Sequence, residues 1–231
     1  LARALTGRSD SRAVLDALVA ANMLTVRLSD RPDWYAYHPM LLELLYDRLT
    51  AENPDAPAGL HRRAAQWFVS QGDSVSAIRQ LTRARDWPQV ADLLSTTALP
   101  LVLSTQASSF ASALGPAEEE AAVHPTADTL LAASIAAFRR GDHDAMVRAA
   151  DDAAAAYASL PGDTPPGIRI VLALVRMVDA RVNHLDDVVD RCGEILALAE
   201  SVQREQIPAA PAYSLIARNN RAIGLFHRGA D

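Results

Sequence analysis

The chain has 231 residues, 50% of them hydrophobic, with a formal net charge of −6 and a pI near 5.5. That length accommodates one large domain or two ordinary ones, and the acidic balance argues against a primary nucleic-acid binder, which carries a basic face. Every basic residue of the Lys/Arg class is Arg, which excludes a phosphate-loop lysine or a lysine base, and the single Cys192 excludes an internal disulfide and a Cys-based zinc cluster.

Aromatic residues make up only 5% and Ala is abundant, which predicts many closely packed helices rather than bulky cores. Residues 1–8 lack the apolar core of a signal peptide. Asp10-Ser11 offers a helix start, after which Val14, Leu15, Leu18 and Val19 recur at helical spacing. The period then changes. Met23 to Leu28 reads as a short strand with Leu24, Val26 and Leu28 on one side and Thr25 and Arg27 on the other. Residues 29–33, Ser-Asp-Arg-Pro-Asp, carry turn chemistry, and Trp34 to Tyr37 returns as a second strand. Helix, strand, turn, strand is the order of a winged-helix end; an incidental hairpin is the alternative.

Pro39 suits the first turn of the next helix, where its missing N–H is harmless. Met40, Leu41, Leu44, Leu45 and Leu49 form that helix's apolar stripe, and residues 53–59 end it. A further helix carries Leu60, Ala64, Trp67 and Phe68, and stops at Gln71-Gly72-Asp73. Gly72 supplies the left-handed C-terminal position and Asp73 starts the following helix. Ala77, Ile78, Leu81 and Ala84 line that one, and Val90, Leu93 and Leu94 the one opened by Asp86-Trp87-Pro88.

The remainder reads as helix after helix. Gln106 to Leu114 is stopped by Gly115-Pro116, and Ala117 to Val123 is short, with Glu118, Glu119 and Glu120 set against its N-terminal dipole. Leu130, Leu131, Ser134, Ile135 and Phe138 make one face of a helix ending at Gly141, and Met146, Ala149, Ala150, Ala153 and Tyr157 face back from the next. Residues 161–167 are the clearest loop. The apolar run from Ile168 to Val178 is broken by Arg169 and Arg176, so no membrane span is expected. Leu185, Val188, Val189, Cys192, Ile195, Leu196 and Ala199 follow at helical spacing, and Pro208 and Pro211 precede a last helix over Ala212 to Arg228. Gly72-Asp73, Gly141-Asp142 and the Gly229-Ala230-Asp231 end form a recurring junction, and the 139–141 segment after Phe138 echoes 227–229 after Phe226. Short turns and small-residue seams favour a degenerate helical-hairpin solenoid of tetratricopeptide type.

Other constellations give less chemistry. His124 with Glu118, Glu119 and Glu120 lacks a second His at ligand spacing. Arg62, Arg63, Arg79, Arg83 and Arg85 form either a basic strip or a solvated face. Asp142, His143 and Asp144 read as helix-start polar residues, and Ser104, Ser108, Ser109 and Ser134 have no recognisable base. Cys192 lies on an apolar stripe and reads as core. Asn219 and Asn220 either line a groove or face water.

Three stretches taken together resemble a known family. They are residues 35–45 (YAYHPMLLELL), residues 60–68 (LHRRAAQWF), and residues 77–81, 84–87 and 91–94 (AIRQL, ARDW, ADLL). In this order they are similar to the large ATP-binding LuxR-type transcription regulators, the group typified by the bacterial maltose-regulon activator. The resemblance is good from Ser11 to Leu94, looser over 106–160 and only architectural beyond. It implies a signal-transduction ATPase with a nucleotide-binding domain, a winged helix, a tetratricopeptide-like superhelical sensor and a helix-turn-helix. Residues 1–52 would be the C-terminal part of the winged helix, 53–104 linking helical hairpins, and 105–231 the start of the sensor. The phosphate loop would lie upstream of Leu1 and the DNA-reading helix beyond Asp231, so the chain is read as a non-enzymatic internal fragment.

The resemblance also assigns one contact. A winged-helix histidine in such ATPases touches the ADP phosphate, and His38 matches it, with Pro39 departing from the Asp common in relatives outside this group. The alternative role of His38 is to cap or pack at the strand-to-helix junction. No cofactor is expected for this segment, ATP/ADP being implied for the whole protein. The expected partners are a small-molecule effector or a regulatory protein, with DNA reached only through a further domain; self-association and a cytoplasmic location are also expected. The rival reading is a free-standing tetratricopeptide-like scaffold, which has no need of the strand pair before His38.

Overall fold

The structure, a computed structural model, describes residues 1–202 and 207–229. The chain divides into two compact units, residues 1–85 and 86–231. It is mainly helical, with one two-stranded antiparallel sheet.

The first unit holds α1 (Ala2–Thr6), α2 (Ser11–Ala20), β1 (Thr25–Arg27), β2 (Tyr35–Tyr37), α3 (Pro39–Glu52), α4 (Ala56–Ser70) and α5 (Ser74–Arg83). The expected hairpin therefore forms, with Thr25 opposite Tyr37, Val26 opposite Ala36 and Arg27 opposite Tyr35. Thr25 is the buried residue, while Leu24 and Val26, on the other side, are exposed. Asn22 and Leu24 both have left-handed backbones, with φ of 53° and 50°, and turn the chain out of α2 into the strand. A left-handed Leu is costly; the Leu24 carbonyl is held by the His38 backbone N–H at 2.7 Å. The hairpin is braced by Asp16, which accepts from the Tyr35 hydroxyl at 2.5 Å and pairs with Arg27.

α4 and α5 pack against each other through Ala64, Ala65, Phe68, Val75, Ile78 and Leu81, all buried. Trp34 stacks on Phe68 with ring centroids 6.4 Å apart. Gly72 takes the left-handed position expected of it, φ 74°, and Asp73 caps α5 by accepting from the Ser76 N–H at 2.9 Å.

The second unit holds α6 (Trp87–Val102), α7 (Ala107–Leu114), α8 (Pro116–Val123), α9 (Ala127–Arg140), α10 (His143–Ser159), α11 (Pro166–Asn183), a 3₁₀ turn (Leu185–Asp187), α12 (Val188–Ser201) and α13 (Ala210–His227). α9 packs on α10, α11 on α12 and α12 on α13, while α6 lies against α9 and α11. The junction between α9 and α10 follows the sequence: Gly141 is left-handed, φ 77°, and Asp142 accepts from the Ala145 N–H at 3.0 Å. Gly229 is left-handed too, φ 68°; the helix start expected at Asp231 lies outside the described residues. The 161–167 loop is shorter than expected. α11 begins at Pro166, and Gly167 sits where a Cβ would come within 2.9 Å of Ser95 on α6. That glycine is needed for close helix approach rather than for a turn. α13 starts at Ala210, with Pro211 in its first turn, because a proline is tolerated there.

Candidate functional site

His38 stands at the N-cap of α3 with an extended backbone, φ −57° and ψ 139°, and its side chain is exposed. Its Nδ1 accepts from the Met40 backbone N–H at 3.3 Å. A ring nitrogen that accepts carries no proton, so in the neutral ring the proton lies on Nε2, which remains a donor. Pro39 occupies the first helical position, as expected. His38 thus performs the capping role weighed for it.

α3 carries no buried residue. Met40 is 72% exposed and Leu44 64%, with Leu42, Leu45 and Tyr46 also exposed; on the hairpin Leu24 and Val26 are open as well. The stripe expected on this helix is present in sequence but bears on nothing within the first unit beyond half-buried Leu41 and Leu49. Exposed apolar side chains are thus concentrated on one helix and the hairpin before it.

The second unit contains a different feature, a cavity of about 260 Å³ between α6, α9, α10, α11 and α13. Its wall is apolar, including Leu99, Ile135, Phe138, Met146, Val175 and Ile216. Arg181 and Asn220 are the polar lining residues. The Arg181 Nη1 donates to the Asn220 Oδ1 at 2.5 Å, and Asn220 Nδ2 donates to the Ile216 carbonyl at 2.9 Å. Asn220 therefore lines the groove, whereas Asn219 faces solvent. Sequence reading missed Arg181. The signal for it was its place among Leu174, Val178 and Val182, on one helical face at spacings of about three and four residues.

The remaining candidates are structural in their surroundings. Ser134 is fully buried and donates to the Met146 carbonyl at 2.9 Å, pinning α9 to α10. Ser104 donates to the Leu101 carbonyl, and Ser108 and Ser109 are exposed. His124 lies 3.3 Å from Glu120, and Glu118 pairs with Arg140. Among the described residues no group of three or more His, Cys, Asp and Glu side chains is arranged to hold a metal ion. His143 Nε2 lies 2.9 Å from Asp179, which also accepts from Asn183. Burial opposes ionisation of Asp179, but these two hydrogen bonds outweigh it and lower its pKa. Arg62, Arg63, Arg83 and Arg85 are exposed and Arg79 is half-buried. Cys192 is fully buried, and that burial pushes its thiol up, which makes it a poor nucleophile. No helix among the described residues is long and apolar enough to cross a membrane.

Comparison with known proteins bears on the first unit. Residues 1–57 match the family model described as the MalT winged helix domain. The serine/threonine-protein kinase PknK of Mycobacterium tuberculosis strain H37Rv is 33% identical over 94 residues, which is 41% of this chain and 8% of that protein. The HTH-type transcriptional regulator MalT of Serratia proteamaculans is 29% identical over 90 residues, covering 39% of this chain and 10% of the regulator. MalT of Vibrio cholerae is 28% identical over 95 residues, covering 41% and 10%. The chain therefore matches only about a tenth of the length of these relatives. No solved structure matches. The N-terminal segment is a MalT-like winged-helix segment shared with regulatory proteins.

Proposed function

We propose that this chain is the regulatory and sensor segment of a LuxR-type transcription regulator, working in the cytoplasm. Effector or protein binding on its helical-repeat surface is coupled through the winged-helix end to an ATPase switch and a DNA-binding domain elsewhere in the protein. The observation that carries this reading is the order of parts: a MalT-like winged-helix segment over 1–57, followed by helix pairs with repeated Gly-Asp junctions. The helix pairs support a tetratricopeptide-like repeat. The chain contains no Lys and hence no phosphate loop, so ATP and ADP belong to the whole protein, and this chain hydrolyses none.

In this reading the open apolar side chains of α3 and the hairpin are where the winged-helix end meets the switch. His38 caps α3 through Nδ1 and offers Nε2 to an ADP phosphate in the resting state. An effector drives the change only by preferring one state of the whole protein. The test is His38→Ala. In the chain alone it removes one cap and costs about 0.5–1 kcal/mol. In the intact regulator it raises effector-independent transcription; unchanged basal transcription would overturn the assignment.

The match to a kinase supports a second reading, in which the same segment regulates phosphoryl transfer instead of transcription. A free-standing repeat scaffold is disfavoured because it has no use for the hairpin. Activity of the intact protein on DNA or on a protein substrate separates the first two.

A further inference from the structure

We propose that the cavity between α6, α9, α10, α11 and α13 is a binding site for a small monocarboxylate with an apolar body, a medium-chain fatty acid or an acid of similar size. Its meaning as an effector site rests on the sensor reading above; the site itself does not.

The size is the first argument. About 260 Å³ lies near the lower end of small-molecule pockets, roughly 300–1,000 Å³. At the ~30 Å³ that a water molecule occupies in the liquid, it holds roughly nine heavy atoms. The wall is the second. Leu99, Phe138, Met146, Leu174, Met177 and Ile216 offer apolar contact on five helices, and Met is well suited to mould around a flexible chain. A sugar or another polyhydroxy ligand would leave its hydroxyls unpaired against such a wall. Leu103 and Val182 line the cavity while remaining 67% and 63% exposed, so the site is open to solvent.

The charge is the third argument and selects the ligand's head. Among the described residues Arg181 is the one cation lining the cavity. Its side chain is held by the neutral Asn220 Oδ1, and among the described residues no carboxylate forms an ion pair with it. Asn220 orients the guanidinium without neutralising it, which leaves further N–H donors for an incoming anion. A planar guanidinium fork matches a carboxylate. A single unpaired arginine suits a single negative charge better than a doubly charged phosphate.

The experiment is isothermal titration of the 231-residue chain with octanoate, 1-octanol and octylamine. Octanoate binds saturably, about tenfold or more tighter than octanol, as expected for a charge-assisted contact, and octylamine binds more weakly than either. Arg181→Gln, at an exposed position, brings octanoate down to the level of octanol and leaves octanol unchanged. Val178→Phe fills the cavity and abolishes binding of both, with circular dichroism checking that the helices persist. Equal binding of octanoate and octanol, indifference of octanoate to Arg181→Gln, or no octanoate binding to the wild-type chain would each overturn the proposal. The sensor reading fails separately, if octanoate binds the chain but does not alter the output of the intact protein.

Discussion

Two apolar helices of similar kind meet opposite fates in this chain. α11, in the second unit, buries Ile168, Ile170, Val171, Leu172, Val175 and Met177. α3, in the first, has a comparable stripe of Met and Leu and buries none of it. Burying a Leu, Ile or Met side chain fully stabilises by about 1.5–3 kcal/mol, so α11 draws on tertiary contacts that α3 lacks. Periodicity therefore reveals that a helix has an apolar face, but not what covers it. For α11 the cover is α6 and α12. For α3 no element of the first unit buries the stripe.

This contrast is open to attack by substitution. The largest effect is expected in the helical unit. Ile170→Ala, at a fully buried position, should lower stability by about 2–5 kcal/mol, read as a shift of the denaturant midpoint. Tyr157 should come next. Its hydroxyl donates to Asp128 at 2.5 Å, and Tyr157→Phe should cost about 1.5–3 kcal/mol. Burial first, and then the Asp128 carboxylate, push this phenol well above the usual tyrosine value of 10.0. The folded chain thus keeps a proton that the unfolded chain loses above that pH. The stability involved is complete below pH 10.0 and falls as the pH rises further. Tyr157→Phe should flatten that alkaline decline, which thermal melts at rising pH would read. The smallest effect should come from Leu44→Ala on α3, within about 0.5 kcal/mol of wild type. A loss there comparable with that of Ile170→Ala would erase the distinction between the regions.

What the sequence discloses depends on how local its cause is. The left-handed Gly72 and Gly141 and the caps Asp73 and Asp142 stand as read, because each is decided within four residues. The capping box at the start of α9 was missed: Thr129 stands where Glu or Gln usually marks it, yet its hydroxyl accepts from the Thr126 N–H at 2.8 Å. The strand pair was legible, but its facing was not. Alternation puts Leu24 and Val26 on one side and Thr25 on the other, but not which side meets the core, and it is Thr25 that is buried. The junction at His38 could be read from the Tyr37-His38-Pro39 order, since cap and proline position are local. The cavity could not. Its walls come from residues 98 to 220, and no spacing within one helix reveals that five helices leave a space between them. Arg181 is half an exception, being recognisable as a charge on an apolar face though not as the lining of a site.

Amide hydrogen exchange on the 231-residue chain tests the central contrast most directly. The account predicts slow exchange in α9, α11 and α12, and markedly faster exchange in the hairpin and α3, whose apolar side chains bear on little. Protection of α3 equal to that of α11 in the chain by itself would contradict it.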